Sequence, residues 1–183
     1  MNEDEFCNLT WEINSTGDLN TLWKLNVKFN ATGATSNTTN NVTIKIGIVL
    51  IMQLSWDYID FGQHDPLETQ IAAPGNPTSD YIITLHNNSN NADGIWIKGT
   101  NLTNPNVTTY IGVGNVTWGK DITKPFDPPD YSTSTPLTGD YALIQGNVTS
   151  GTEIATYYWI NIPGGIWGRV YTGSMTIMAN ATE

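Results

Sequence analysis

Apolar and polar residues alternate at every second position in several short segments of this chain, whereas the 3.6-residue periodicity of helices is almost absent. Trp23, Leu25 and Val27 share one parity in the first such segment, and the pattern recurs over residues 81–85 and 171–180. A period of two is typical of a strand that buries one face. Because Gly, Pro and Asn turns separate many such segments, the sequence predicts an all-β fold. We expect a single antiparallel β-sandwich of about eight to ten strands with an Ig-like or jelly-roll-like plan.

The apolar run over residues 46–52 is far shorter than the ~20 residues that a membrane-spanning helix needs. Its β-branched residues predict a buried central strand instead. The connection over residues 119–140 contains four prolines. A connection of that length is usually a functional excursion or a cover over a sheet edge.

The motif Asn-x-Ser/Thr, with x other than proline, occurs eleven times, although the 21 Asn and the 35 Ser plus Thr in 183 residues would give about four by chance. The excess predicts N-glycosylation of a chain that crosses a membrane and stays outside the cell. Accidental matches in an Asn- and Thr-rich chain are the alternative. The predicted glycosylation sites are Asn8, Asn14, Asn30, Asn37, Asn41, Asn87, Asn101, Asn106, Asn115, Asn147 and Asn180.

The charge of the chain restricts its partners. Only 13% of the residues are Asp, Glu, Lys or Arg, against about 25% in ordinary soluble domains, so solubility must come from uncharged polar residues and sugar. A net charge of −10 and a pI near 4.3 argue against nucleic acid and anionic membrane surfaces. Cys7 is the only cysteine, so no disulfide can form within the chain.

A secretory leader is not visible, because residues 1–30 lack a basic segment followed by an apolar one. We expect the leader to have been removed, the mature chain to be extracellular or on the cell surface, and no part of it to insert into a membrane.

The N-terminal segment has an apolar stripe formed by Cys7, Leu9, Trp11 and Ile13, with polar residues at the alternate positions. A short break over residues 15–18 follows the stripe. Such a strand can fold back as the first strand of its own sandwich, or it can complete the sheet of a neighbour. From the residues alone, folding back as an ordinary first strand is the more common of the two arrangements.

The segments 54–62, 73–75 and 81–88 resemble a run that is found in archaeal surface β-sandwich proteins, with its Asp-Phe-Gly, Pro-Gly and Thr-Leu elements. Residues 171–182 are similar to the closing strand of the TasA/camelysin group. The resemblance covers about residues 54–99 and 168–182 and marks a sandwich edge with its turns, not a chemistry. It implies extracellular filaments, such as archaeal threads and bundling pili, in which an N-terminal strand of one subunit inserts into the next. By this resemblance residues 7–14 would be the donated strand, and the chain would divide into a donor strand with its hinge, residues 1–18, and a sandwich domain, residues 19–183.

The expected function is therefore a structural subunit of an extracellular, N-glycosylated filament that serves adhesion or biofilm formation. Its partner would be itself, in a head-to-tail homopolymer, with other cells or surfaces as further targets. The alternative is a monomeric cell-surface or S-layer-associated sandwich that binds carbohydrate. Four tryptophans could stack on sugars, although core or interface positions are more common for such residues. They are Trp96, Trp118, Trp159 and Trp167.

Catalytic and metal chemistry have little support in the sequence. His64 and His86 are the only histidines, and both fall at turns or strand ends. The carboxylate pair Asp57 and Asp60 flanks an aromatic strand without a sign of a cleft. Calcium is the one ion to consider, between the loop carboxylates Asp127 and Asp130. We expect no enzyme activity and no cofactor besides the glycans.

Overall fold

The structure is a computed structural model, and it describes residues 21–30, 32 and 37–181. The chain divides into two compact units, one up to Ile48 and one over Val49–Thr182. None of the described residues belongs to a helix that is long and apolar enough to span a bilayer.

The first unit is built from antiparallel strand pairs. Strand β1 (Leu22–Leu25) pairs with β4 (Val42–Lys45), and β2 (Lys28–Phe29) pairs with β3 (Asn37–Thr38). The predicted alternation is present only in part, because Leu25 and Val27 are half-buried while Trp23 is 54% exposed.

The second unit contains a larger and a smaller antiparallel sheet, with a separate two-stranded ribbon. The larger sheet has the order β12-β11-β14-β7-β5, with β6 also paired to β14, and the smaller has the order β13-β8-β15. The ribbon joins β9 and β10. The strands are β5 (Met52–Leu54), β6 (Ile71–Ala72), β7 (Tyr81–Leu85), β8 (Ala92–Gly99), β9 (Leu102–Thr103), β10 (Tyr110–Ile111), β11 (Val116–Asp121), β12 (Thr135–Pro136), β13 (Ala142–Val148), β14 (Glu153–Ile160) and β15 (Met175–Asn180).

The core lies between the two sheets. In β7 the residues at every second position are fully buried, as the alternation predicts. The central strand of the smaller sheet contributes Ile95 and Ile97, and β14 contributes Ile154 and Tyr158, all without solvent exposure. Burying these apolar surfaces at about 25 cal/mol per Å² is the main term that stabilises the unit.

The long connection after β11 covers the outer face of the larger sheet. Phe126 and Tyr131 pack against Tyr157 and Trp159, which point away from the main core. Tyr131 meets the indole of Trp159 edge to face, with 6.1 Å between ring centroids. The expected cover over a sheet edge is present, because β12 within this connection pairs with β11. The connection also covers a sheet face, which the sequence did not predict.

The turn before β7 is fixed by a buried side chain. Asn76 Nδ2 donates to the carbonyl of Tyr158, and the Tyr158 N–H donates to Asn76 Oδ1, both at 2.9 Å. The side chain pairs with the β14 backbone as a neighbouring strand would. It satisfies the buried Tyr158 N–H and gives the Tyr158 carbonyl a second donor beside Ala73 N–H.

The predicted fold class is confirmed, since the described residues form an almost entirely β, antiparallel, sandwich-like structure. Nine of their strands have three or more residues. The donor segment 1–18 lies outside the described residues, so the division at residue 18 stays a prediction. The central strand over residues 46–52 is wrong: only Met52 belongs to a strand, and that strand is β5 at the end of its sheet.

Candidate functional site

One side of the sandwich is closed by the chain itself. The segment after β12 contacts both sheets, because Leu137 N–H donates to Val116 O and Gly99 N–H donates to Thr138 O, each at 2.8 Å. Lys120 of β11 also reaches across, donating from Nζ to Ile144 O and to Gln145 Oε1 of β13. Strands β11, β12 and β13 therefore lie together at this side.

The other side is flanked by β5 and β15. They are the strands at the opposite ends of their sheets from β12 and β13. Each pairs with a single neighbour among the described residues, β5 with β7 and β15 with β8. Each therefore has one edge without a partner strand in the part of the chain that the structure describes.

At Met52 and Leu54 the backbone N–H and C=O groups of β5 point away from its partner strand β7. These residues lie opposite Leu85 and Ile83 of β7. Leu85 uses its own N–H and C=O toward Thr152 and Gly151, on the far side of β7. In an antiparallel ladder such residues form the non-hydrogen-bonded pairs, so the N–H and C=O groups of Met52 and Leu54 point away from β7.

The backbone of β15 has the same property at Met175, Ile177 and Ala179. Thr100 N–H donates to Ser174 O at 3.0 Å, which places the even-numbered residues of this strand in hydrogen-bonded register with β8. The odd-numbered residues therefore direct their N–H and C=O groups to the unpaired edge.

The inward side chains of these strands are apolar and only half-buried. We call Met52, Met175, Ile177 and Ala179, together with Leu50 beside β5, the open seam. Each packs against the core but keeps part of its surface in solvent, whereas the inward residues of the central strands are fully buried. Apolar pockets beside unpaired backbone groups are what an added β-strand recognises.

No known family, curated protein or solved structure matches this chain. The resemblance to filament subunits therefore remains an expectation from sequence, and the open seam must be interpreted from its own geometry.

The predicted glycosylation sites are mostly at the surface. Seven of the sequon asparagines are exposed in the described residues: Asn30, Asn41, Asn87, Asn101, Asn106, Asn147 and Asn180. Asn115 is half-buried, and its Nδ2 donates to Gly112 O at 3.2 Å. Asn37 lies in β3. Asn8 and Asn14 fall outside the described residues, as do the donor residues Cys7, Leu9, Trp11 and Ile13.

The structure separates the four tryptophans. Trp118 and Trp159 are buried, so their rings are not available for a ligand. Trp96 is half-buried, and its ring lies over Gly94, where a Cβ would come within 2.5 Å of it. Trp167 is 63% exposed.

The candidate catalytic and metal residues are not brought together. The described residues contain no group of three or more His, Cys, Asp and Glu side chains that could hold a metal ion. His64 contacts Glu68 in its own loop, while His86 hydrogen-bonds to Asn88 N–H. Asp57, Asp60, Asp127 and Asp130 are exposed. A calcium site between Asp127 and Asp130 stays a prediction.

Sequence reasoning missed the open seam. The run over residues 46–52 has the composition of a central strand. Composition does not show whether a strand has partner strands on both of its edges or on only one. The C-terminal alternation was visible, but the half-burial of its apolar face depends on β15 being the last strand of its sheet.

Proposed function

We propose that this protein is a structural subunit of an extracellular, N-glycosylated filament, in which the N-terminal strand of one copy fills the open seam of the next. The observation that carries the proposal is the seam itself. It combines half-buried apolar side chains with the edges of β5 and β15, which have no partner strand in the part of the chain that the structure describes.

The N-terminal segment fits the seam in pattern and in length. Its apolar stripe would face the core, and its polar parity, with Asn8 and Asn14, would face solvent. Eight residues in a strand span about 26 Å, enough to run along all six residues of β15. The hydrogen bonds of the ladder would provide affinity, and the alternate side chains would set the register.

Donation from one copy to the next joins two different surfaces. Such a heterologous contact repeats the same rotation from each subunit to the next. Unless that rotation closes a ring, the subunits form an open filament. The exposed sequons agree with an assembly that works outside the cell, where glycans add polar surface to a chain with few charges.

The native cysteine provides a direct test of strand donation. Cys7 is the only cysteine in the chain, so a second cysteine placed in the seam can test one contact directly. Strand donation would join Cys7 of one copy to the new cysteine of the next copy. We would make Met175→Cys, Ile177→Cys and Ala179→Cys, since opposed residues in adjacent strands have Cα atoms close enough for a disulfide. Thr176→Cys, on the exposed parity of β15, is the matched control.

Strand donation predicts that at least one seam variant forms a ladder of disulfide-linked oligomers under mild oxidation, and that Thr176→Cys does not. Removing Cys7 in the same background by Cys7→Ser should abolish the ladder. A disulfide within one chain would show that the segment folds back, and no disulfide at any seam position would show that it lies elsewhere. Either result rejects the donation mechanism.

The glycoprotein part of the proposal has its own test. The intact mass of native protein should exceed the 20.1 kDa polypeptide by several glycans. Native protein at the bare polypeptide mass would reject the N-glycosylation, independently of the seam.

A further inference from the structure

One predicted glycosylation site shares a surface hollow with an exposed tryptophan. The hollow is lined by Pro105, all three residues of the sequon Asn106-Val107-Thr108, and Trp167. Asn106 is exposed, and Trp167 keeps 63% of its surface in solvent. The indole and the amide that would carry a glycan therefore face the same space.

Two bridging side chains hold the sequon and the tryptophan loop together. Asn104 Oδ1 accepts from Asn106 N–H at 2.8 Å, while Asn104 Nδ2 donates to Val170 O at 2.7 Å. The hydroxyl of Tyr171 accepts from Trp167 N–H at 3.2 Å and lies 3.0 Å from Thr109 Oγ1. These bonds tie the segment of Asn106 to the loop of Trp167 before any sugar is attached.

A sugar ring suits this position. The face of an indole carries negative charge density, and the C–H groups on one face of a pyranose present the complementary positive edge. An exposed indole beside a covalently attached sugar loses little additional entropy when the two pack together, because the attachment already sets a high effective concentration.

We infer that Trp167 is a docking platform for the first sugars of an N-glycan on Asn106. The inference rests on the N-glycosylation in the proposed function. In the attachment step Asn106 Nδ2 forms a bond to C1 of the first sugar. The bond from C1 to the phosphate of a lipid-linked sugar donor breaks, and the amide proton leaves with the phosphate group. The attached glycan then folds onto the indole, covers the hollow and ties the sequon segment to the Trp167 loop.

The test uses the full chain from a host that N-glycosylates secreted proteins. Thr108→Ala removes the sequon without changing Asn106, and Thr108→Ser is the matched control that keeps it. Both are combined with Trp167→Ala and with Trp167→Phe, and thermal unfolding is measured on the isolated glycoforms. Site-resolved mass spectrometry reports the occupancy of Asn106.

With Trp167 present, Thr108→Ala should unfold about 2–4 °C below Thr108→Ser. In the Trp167→Ala background the two should unfold together, and Trp167→Phe should restore most of the difference. An equal difference in both backgrounds would overturn the docking, because the glycan would then act without the indole.

A second measurement needs no change at Trp167. Hydroxyl-radical labelling of Trp167 should rise several-fold in Thr108→Ala relative to Thr108→Ser, while labelling of the exposed Tyr58 stays constant. Equal labelling of Trp167 in the two variants would overturn the inference. An unmodified Asn106 beside other occupied sequons would overturn it and leave the proposed function intact, whereas a chain without any glycan would reject both.

Discussion

Two adjacent tyrosines in β14 differ in the hydrogen bonding of their buried hydroxyl groups, and this difference should affect the free energy of unfolding. Tyr157 and Tyr158 are both buried, and burial raises the pKa of each phenol, so both are neutral at physiological pH. The Tyr157 hydroxyl lies 2.9 Å from Ser79 Oγ. No hydrogen bond of normal geometry reaches the Tyr158 hydroxyl among the described residues, although the Thr156 side chain is near enough to oppose the rise of its pKa. The Tyr158 ring lies beside the rings of Trp56 and Tyr81.

Replacing these tyrosines by phenylalanine should have opposite effects. Tyr158→Phe removes an unsatisfied buried hydroxyl and should raise the free energy of unfolding by about 1 kcal/mol. Tyr157→Phe breaks a hydrogen bond and should lower it by about 1 kcal/mol. Urea unfolding of both variants checks the pair, and equal losses would mean that Tyr158 has a partner after all.

Glycan occupancy should also depend on the local structure of each sequon. Asn115 is the half-buried exception among the described sequon side chains, and its amide nitrogen is already hydrogen-bonded. Glycosylation replaces one of the two N–H groups on that nitrogen, so the bond to Gly112 O and the half-burial restrict how the amide can be presented to the transferring enzyme. We expect Asn115 to have the lowest occupancy by site-resolved mass spectrometry, and full occupancy there would contradict this.

At the scale of elements, the sequence predicts what depends on each strand alone. Strands β7 and β15 fall within the segments 81–85 and 171–180, whose period-two pattern predicts a strand that buries one face. Strand β14 is buried on both faces, since the distant connection with Phe126 and Tyr131 covers its outer side. The edge position of β5 was not predictable, because a missing neighbour leaves no trace in local composition.

The loop before β6 contains a pH-dependent contact. His64 Nδ1 lies 2.7 Å from Glu68 Oε2, and His64 Nε2 lies 2.7 Å from Phe61 O. Both ring nitrogens can donate only in the protonated imidazole, so these bonds, with the nearby Asp65 charge, raise the pKa of His64 above 6.5. The bond to His64 lowers the pKa of Glu68.

The sign of the pH effect follows from these shifts. A raised histidine pKa stabilises the folded loop fully below the unfolded value of 6.5, and this stabilisation is lost as the pH rises through the folded pKa. The loop is joined to the end of β14 by Leu67 N–H to Ile162 O, at 2.9 Å. Exchange protection of that N–H, corrected for intrinsic rate, should fall between about pH 6 and 8. In His64→Gln the protection of the Leu67 N–H should not change over this pH range. Identical pH profiles in the native protein and the variant would contradict a role for the His64–Glu68 contact.

At the scale of the whole molecule, the proposed strand donation needs a donor stripe and an acceptor seam, and the two differ in how far the sequence predicts them. The stripe of Cys7, Leu9, Trp11 and Ile13 is visible in the residues themselves. The open seam is not, because it joins β5 and β15 across the sandwich, and their relation depends on the order of strands in two sheets.

Assembly should depend most on the largest side chain of the stripe. Trp11→Ala should weaken each joint by about 3–5 kcal/mol, as for other large core truncations, which is about two to four orders of magnitude in its equilibrium constant. Thr10→Ser, on the opposite parity, keeps the sequon of Asn8 and should change little. Denaturant-induced disassembly of filaments measures both, and equal effects would mean that the segment does not bury one face.

A density map of the native assembly tests the central claim most directly. Strand donation predicts continuous density for residues 7–14 of one subunit between β5 and β15 of the next, with the Trp11 side chain pointing into the core. Density that returns the segment to its own subunit, or a seam left empty in a formed filament, would contradict the account.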